Sequence, residues 1–127
     1  MTTSKNRPVI LIVDDDRLNQ KLVKALVELE GFQAIVAGSA GEGLSLAETE
    51  RPDLILMDIQ LPDMNGLEAT KRIKSTDHLK SIPIVALSAY AMKHDIQAAL
   101  DAGCASYVTK PFESKSLVET LKSQLEY

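Results

Sequence analysis

Carboxylates, a hydroxyl and an ammonium stand at the ends of four short apolar segments of this chain. Asp14 and Asp15 follow VILIV, Asp58 follows LILM, Ser88 follows IVAL, and Lys110 follows YVT. Three carboxylates brought together repel one another and raise one another's pKa values unless a cation neutralises them. Oxygen ligands with water completing the shell suit Mg²⁺. These residue types therefore predict a magnesium site if the segments end at one place in the fold.

A lysine and a hydroxyl beside a magnesium site indicate phosphate chemistry. Mg²⁺, an ammonium and a hydroxyl can together hold the equatorial oxygens of a phosphoryl group in transfer, with a carboxylate as the nucleophile. Any one of these side chains alone could instead have a structural role, as part of a turn, as a helix cap or as a solvated charge. Their joint position favours phosphoryl transfer to an aspartate.

The apolar segments alternate with helical patterns along the chain. Continuous apolar runs rich in β-branched residues predict strands covered on both faces, and apolar residues at helical spacing predict amphipathic helices between them. We predict strands at 9–13, 33–37, 54–57, 84–87 and 107–109, and helices over about 18–30, 39–49, 67–75 and 93–102 and from about 117 to the C-terminus. Such alternation implies a parallel sheet, and right-handed crossovers place helices on both of its faces.

The predicted fold is therefore an α/β domain with a doubly wound, five-stranded parallel sheet. We expect the flavodoxin-like strand order 2-1-3-4-5, in which ligands bind outside the carboxyl ends of the strands, between strands one and three. Asp14 and Asp15 follow the first of these two strands, and Asp58 follows the other. The fold then brings the three acids to one edge of the sheet.

Length and composition restrict the classes of protein. A chain of 127 residues with 45% hydrophobic residues fits one domain with its own core, and we predict a flexible tail at 1–7 and the domain at 8–127. The net charge of -4 disfavours binding to nucleic acid. The single cysteine, Cys104, excludes an internal disulfide, and no apolar run suits a signal peptide or a membrane span. We therefore expect a cytoplasmic protein without membrane contact.

Four motifs resemble those of one known family. LIVDDD at 11–16, LILMDIQLPDMNG at 54–66, ALSA at 86–89 and YVTKPF at 107–112 stand in the order and approximate spacing of the receiver domains of bacterial two-component response regulators. The resemblance covers essentially the whole chain, and within the family the sequence looks most like stand-alone, DivK-like regulators. It implies the (βα)5 receiver fold and a function in two-component or phosphorelay signal transduction.

The resemblance also implies a role for each acidic residue of the site. Asp58 would be the phosphoacceptor, and Asp14 and Asp15 would form the acidic pocket beside it. Asp15, Asp58 and the main-chain carbonyl of Gln60 would bind Mg²⁺ directly, with Asp14 counted among the metal-site residues.

By the same resemblance, residues after strands four and five would contact the phosphoryl group. These are Ser88, the main-chain amide of Ala89, and Lys110. The Lys110–Pro111 peptide bond would be cis, which physics permits because the trans preference before proline is only about 0.5 to 1 kcal/mol.

Three further positions of the family tune or transmit the signal. Gln60 and Tyr90 would set how fast the acyl phosphate hydrolyses by shaping access for water. Tyr107 would turn inward when Ser88 moves, and the surface of the fourth helix, fifth strand and fifth helix would change its interactions. A sensor histidine kinase or histidine phosphotransfer protein would be the donor. A downstream protein target would be the reader, because no effector domain follows Tyr127.

We expect a monomer or a phosphorylation-dependent dimer. We expect no enzyme in the ordinary sense, since such a domain promotes only its own phosphorylation and autodephosphorylation.

Three other functions remain as alternatives. Asp14 and Asp16 have the D-x-D spacing of Mg²⁺-dependent phosphohydrolases of the haloacid dehalogenase type, which would carry phosphate on Asp14 rather than Asp58. The short chain without an evident cap domain opposes that function. A flavodoxin-like nucleotide binder would need an anion-binding loop after strand one, where aspartates repel phosphate. A phosphorylation-independent binding module of receiver shape is opposed by the intact Asp58, Ser88 and Lys110.

Overall fold

The structure, a computed structural model, describes residues 7–90, 92–111 and 113–125. The tail predicted at 1–7 lies outside the described residues except for Arg7, whose Nε donates a hydrogen bond to the carbonyl oxygen of Gly31 at 3.3 Å. The end of the last predicted helix, at 126–127, also lies outside them.

Strands and helices alternate along the described chain. The strands are β1 (Val9–Val13), β2 (Gln33–Ala37), β3 (Leu54–Asp58), β4 (Ile84–Ser88) and β5 (Ser106–Thr109). The helices are α1 (Arg17–Leu29), α2 (Ala40–Glu50), α3 (Gly66–Lys74), α4 (Lys93–Ala102) and α5 (Ser114–Gln124). The start of α5 precedes the first apolar position of its pattern, Leu117, because the first turn of this helix is exposed and polar.

All strand pairs of the described sheet are parallel, and the strand order is β2-β1-β3-β4-β5. The predicted fold class and strand order are thus confirmed. The register pairs Val13 with Met57 and Met57 with Ala86, so the carboxyl ends of β1, β3 and β4 lie at one edge of the sheet. That edge carries the acids and the hydroxyl singled out above.

The sheet separates two hydrophobic cores. Successive residues of a strand point to opposite faces, so Ile10 and Ile12 of β1 pack with α1 and α5, whereas Leu11 and Val13 pack with α2, α3 and α4. A strand covered in this way needs apolar side chains on both faces. This explains why β1, β3 and β4 appear in the sequence as continuous apolar runs.

Polar caps and glycines set several helix ends. The side chain of Asp16 accepts a hydrogen bond from a main-chain amide of the first turn of α1, and Ser39 does the same for α2, both at 3.1 Å. Gly31 follows α1 with a φ of 90°, and Gly103 follows α4 with a φ of 113°. Glycine adopts such values without the steric penalty of a Cβ atom.

Candidate functional site

The edge formed by the carboxyl ends of the strands collects the principal site residues. Asp58 is the last residue of β3, and Ser88 is the last residue of β4. Asp14 directly follows β1, and Lys110 directly follows β5. Residues as far apart in the chain as 14 and 110 therefore meet because the parallel strands end together.

Three carboxylates form one cluster at this edge. Ligand oxygens of Asp14, Asp15 and Asp58 all lie within 4.8 Å of one another. Asp14 and Asp58 are buried, with 1% and 4% of their surface exposed, whereas Asp15 is exposed. Main-chain amides hold the two buried carboxylates, since the amide of Asp16 donates to Asp14 Oδ1 at 2.9 Å and that of Gln60 to Asp58 Oδ1 at 3.1 Å.

Lys110 places its ammonium against the two buried carboxylates. Its Nζ donates to Oδ2 of Asp58 at 3.1 Å and to Oδ2 of Asp14 at 3.4 Å. The lysine side chain is only 19% exposed, so solvent screens these ion pairs less than it screens pairs on the surface. A single ammonium balances only part of the charge of three carboxylates.

The electrostatic balance of the site disfavours the charged form of Asp58. Burial raises the pKa of Asp58 above its ordinary value of 3.8, and the neighbouring Asp14 carboxylate raises it further. The Lys110 ammonium and the amide of Gln60 lower that pKa, but the net direction is upward. A cation that binds the cluster would stabilise the carboxylate form. Oxygen-only donors of this kind fit a magnesium ion.

Ser88 is held by its neighbours on the opposite side of the site. The side-chain amide of Gln60 donates from Nε2 to the hydroxyl oxygen of Ser88 at 3.2 Å, and the main-chain amide of Tyr90 donates to the same oxygen at 3.1 Å. Ser88 is buried, while Gln60, Tyr90 and the intervening Ala89 are exposed. The hydroxyl is thus covered by residues that precede helices α3 and α4.

Tyr107 is half-buried on β5, and its hydroxyl donates a hydrogen bond to the main-chain carbonyl of Tyr90. A cavity of about 220 Å³ adjoins this contact, with both tyrosines, Gln60 and Ser88 in its lining. The peptide bond between Lys110 and Pro111, after β5, is cis.

Two polar residues contact this region although neither was predicted to have a role there. Gln20 donates from Nε2 to the main-chain carbonyl of Asp14. In the sequence it is only a polar residue one turn after the cap of α1, which does not predict this contact. Asp63 accepts from the amides of Ala40 at 3.0 Å and Gly41 at 2.9 Å, which ties the loop after β3 to the start of α2. An acid in a turn is a typical cap, but this one caps a helix remote in sequence.

Asp16 differs from the other two acids of the DDD motif. Its side chain caps α1, as described above, whereas Asp14 and Asp15 belong to the carboxylate cluster. The D-x-D pair considered for a phosphohydrolase is therefore divided between a helix cap and the cluster. Among the helices of the described ranges, none combines the length and apolar character needed to cross a membrane.

Comparisons with known proteins agree with one another. The sequence matches the family model of the response regulator receiver domain over residues 10–122. It is 46% identical over 116 residues to the polar-differentiation response regulator DivK of Brucella anthropi, which covers 91% of this chain and 94% of the relative.

Two solved structures have the same fold. A CheY-like response regulator receiver domain protein from Methanospirillum hungatei JF-1 is 34% identical, with a TM-score of 0.88 and coverage of 94% of both chains. The receiver domain of sensor histidine kinase PA1611 from Pseudomonas aeruginosa PAO1 is 31% identical, with a TM-score of 0.88 and coverage of 95% of this chain and 99% of that chain. The latter structure has a magnesium ion coordinated in its active site cleft. On the family match and these similarities, the chain belongs to the response regulator receiver domain family.

Proposed function

We propose that Asp58 accepts a phosphoryl group from a phosphohistidine, within the two-component signalling in which receiver domains act. The observation that carries this proposal is the position of a buried carboxylate between a lysine ammonium at 3.1 Å and two further carboxylates within 4.8 Å. This arrangement offers a nucleophile together with groups that can hold a metal and a phosphoryl group. The phosphohydrolase alternative has no support among the similar proteins.

The transfer step uses one oxygen of Asp58. That oxygen forms a bond to phosphorus while the phosphorus–nitrogen bond of the donor breaks, and the electron pair of the broken bond stays on the imidazole nitrogen. Lys110 then faces the new phosphoryl oxygens and stabilises their charge. Hydrolysis by water later releases inorganic phosphate and regenerates the carboxylate. In this sense the protein promotes only its own phosphorylation and dephosphorylation, and receiver domains in general are not catalytic enzymes.

Mg²⁺ is the cofactor of this proposal. Asp15, Asp58 and the main-chain carbonyl of Gln60 would hold it, with Asp14 as the fourth residue of the metal site. Support comes from the oxygen donors of the cluster, from the upward shift of the pKa of Asp58, and from the magnesium ion of the Pseudomonas receiver domain. When bound, Mg²⁺ would neutralise charge on the carboxylates and on the phosphoryl oxygens.

The hydroxyl of Ser88 and the main-chain amide of Ala89 complete the proposed phosphoryl site. A phosphorylated aspartate gains about one negative charge and strong acceptor oxygens, which attract these donors and the loop that carries them. Gln60 and Tyr90 flank the approach of water to the phosphoryl group, and we assign to them the tuning of its hydrolysis. Their contacts with Ser88 support this placement.

Tyr107 is the proposed switch residue. Tyr107 lines the cavity of about 220 Å³, and its hydroxyl donates a hydrogen bond to the carbonyl of Tyr90. Movement of Ser88 toward Asp58 would free space for the ring and change the surface formed by α4, β5 and α5. A downstream protein target would read that change.

Receiver domains take phosphoryl groups from histidine kinases and act on downstream targets. For this chain we propose a sensor histidine kinase or a histidine phosphotransfer protein as the donor, and a monomer or a phosphorylation-dependent dimer as the working form. We place it in the cytoplasm, where a free thiol such as Cys104 stays reduced. The net charge of -4 favours a protein target over nucleic acid.

The proposal is tested by intact mass after incubation with Mg²⁺ and a small acyl phosphate. Wild type should gain about 80 Da, the mass of one phosphoryl group. Asp58→Asn should remove this label. Asp77→Asn, which makes the same change of charge at an exposed turn, should retain it.

Two results would contradict the proposal. Label that persists in Asp58→Asn but disappears in Asp14→Asn would indicate the phosphohydrolase. A wild type that takes no label from acyl phosphates or from histidine kinases would indicate a binding module that works without phosphorylation.

A further inference from the structure

We propose that the side chain of Gln60 is a latch that holds the hydroxyl of Ser88 away from the phosphoryl site until Asp58 is phosphorylated. This inference rests on the proposed function. It makes Gln60 a positioning residue, which acts on the phosphorylated state through Ser88 rather than only through the access of water.

The latch is a contact between one amide group and one hydroxyl. Nε2 of Gln60 donates to Oγ of Ser88 at 3.2 Å, and Oε1 of the same amide lies 3.5 Å from that oxygen, which is longer than an ordinary O–H···O hydrogen bond. The amide of Tyr90 donates to the same Oγ at 3.1 Å. A serine hydroxyl has one proton to donate and two lone pairs to offer. The donors of Gln60 and Tyr90 therefore occupy both lone pairs of the hydroxyl oxygen.

Gln60 contacts both Asp58 and Ser88. Its main-chain amide donates to Oδ1 of Asp58 at 3.1 Å, while its side chain reaches Ser88 on the neighbouring strand. Ser88 is 1% exposed, and the exposed side chain of Gln60 lies over it. The main-chain hydrogen bond to Asp58 thus holds Gln60 where its side chain reaches Ser88.

Movement of the Ser88 hydroxyl separates the two states. A charged phosphoryl oxygen is a strong acceptor, so phosphorylation draws the hydroxyl toward Asp58 and away from the neutral amide of Gln60. That movement breaks the hydrogen bond from Nε2 of Gln60. The bond therefore favours the unphosphorylated arrangement and lowers the population of the active arrangement before phosphorylation.

A latch makes a prediction that a role in water access does not. A residue that only shapes the path of water changes the rate of hydrolysis, whatever stands at position 88. A latch changes the affinity for a phosphoryl analogue that is not hydrolysed, and it does so only when the Ser88 hydroxyl is present. The two roles separate in a double-mutant cycle.

The experiment uses beryllofluoride, a phosphoryl analogue that binds aspartate carboxylates, in the presence of Mg²⁺. Its dissociation constant is measured by titration calorimetry for wild type, Gln60→Met, Ser88→Ala and the double variant. Methionine keeps the length of the side chain and removes its hydrogen bonds. The matched control is Gln33→Met, which makes the same substitution at an exposed position where β2 begins.

We expect Gln60→Met to bind the analogue about 3- to 10-fold more tightly than wild type, the effect of one hydrogen bond lost from the competing state. In the Ser88→Ala background the same substitution should change the affinity less than about 2-fold. Without the analogue, the amide resonance of Tyr90 in Gln60→Met should move toward its position in the bound wild type. Gln33→Met should match wild type in both measurements.

Two results would overturn the latch, provided that wild type binds the analogue. Gln60→Met could bind it no more tightly than wild type, or the substitution could raise the affinity equally in the Ser88→Ala background. Failure of the proposed function looks different, because wild type itself would neither bind beryllofluoride nor take a phosphoryl label on Asp58. That outcome would overturn both proposals.

Discussion

The Nζ atom of Lys110 lies 3.1 Å from Oδ2 of Asp58, although 52 positions separate these residues in the chain. Both side chains are largely buried, at 19% and 5% exposure. The same ammonium also reaches Asp14. Its removal would leave two buried carboxylates without their ionic partner, and a buried charge that loses its partner costs more than a surface charge does.

Replacement of this lysine should therefore destabilise the protein in the absence of metal. We expect Lys110→Met to lower the free energy of unfolding by about 1 to 3 kcal/mol in EDTA. Mg²⁺ should stabilise the variant more than wild type, because bound metal supplies the missing positive charge. Urea unfolding with and without Mg²⁺ measures both effects. Lys115→Met, at an exposed position of α5, is the control, and equal stability of the two variants in EDTA would contradict the prediction.

The carboxyl of Asp58 itself should destabilise the folded state at neutral pH. Its pKa is raised by burial, so the stability that the protonated group contributes is lost as pH rises from 3.8 through the higher folded value. In EDTA at about pH 7, Asp58→Asn should therefore have a higher Tm than wild type, and the difference should shrink as the pH falls toward 4. Mg²⁺ should raise the Tm of wild type more than that of Asp58→Asn. A lower Tm for Asp58→Asn at neutral pH without metal would contradict this prediction.

A side chain at Gly66 should be destabilising, because this residue lies against the backbone of Asp58, the proposed phosphoacceptor. A Cβ atom at this position would stand 2.2 Å from the carbonyl oxygen of Asp58 and 2.9 Å from Cα of Ile59. Backbone atoms cannot move aside as a flexible side chain can. We expect Gly66→Ala to lose about 1 to 3 kcal/mol of stability and to take up the phosphoryl label more slowly than wild type.

Gly38→Ala is the matched control for this change. A Cβ atom there would meet its nearest neighbours at 3.7 Å, an ordinary contact distance. Urea unfolding and the rate of labelling should therefore match those of wild type within about 0.5 kcal/mol and a factor of about two. Equal losses in both variants would mean that the contact of Gly66 with Asp58 has no special effect.

Asp63 should contribute stability that disappears in acid. Hydrogen bonds from the amides of Gly41 and Ala40 lower its pKa below 3.8, so the contribution is complete above that value and is lost as the pH falls through the lower folded pKa. Wild type should exceed Asp63→Asn in stability at neutral pH, and the difference should vanish in strong acid. Unfolding curves across this pH range test the prediction, with Asp77→Asn as a control of equal charge at an exposed turn. A difference independent of pH would contradict it.

The fold could be predicted from the sequence because each strand carries its own signal. β1, β3 and β4 are buried on both faces, so their residues are apolar without interruption. The strand order then determines which strand ends meet. The cluster of Asp14, Asp15 and Asp58 follows from those two facts, without knowledge of any side-chain conformation.

Contacts between loops could not be predicted in the same way. The bond between Gln60 and Ser88 depends on one side-chain conformation across 28 positions of the chain, and the bonds from Ala40 and Gly41 to Asp63 join a loop to a helix 22 and 23 positions earlier. No periodicity or local motif encodes such contacts. The proposed roles of Ala89, Tyr90 and Tyr107 came from the family resemblance, because an isolated residue of these types is commonly structural.

The strand that ends with Asp58, β3, is paired on both sides. β3 pairs with β1 and with β4, and in the second pair Asp58 itself is opposite Leu87. The main chain of the proposed phosphoacceptor is therefore held in the ladder with β4. The donors able to respond, Ser88 and Lys110, stand at the carboxyl ends of β4 and β5, which lie on one side of β3. A phosphoryl signal carried by these donors would consequently travel across the sheet toward β5 and away from β2.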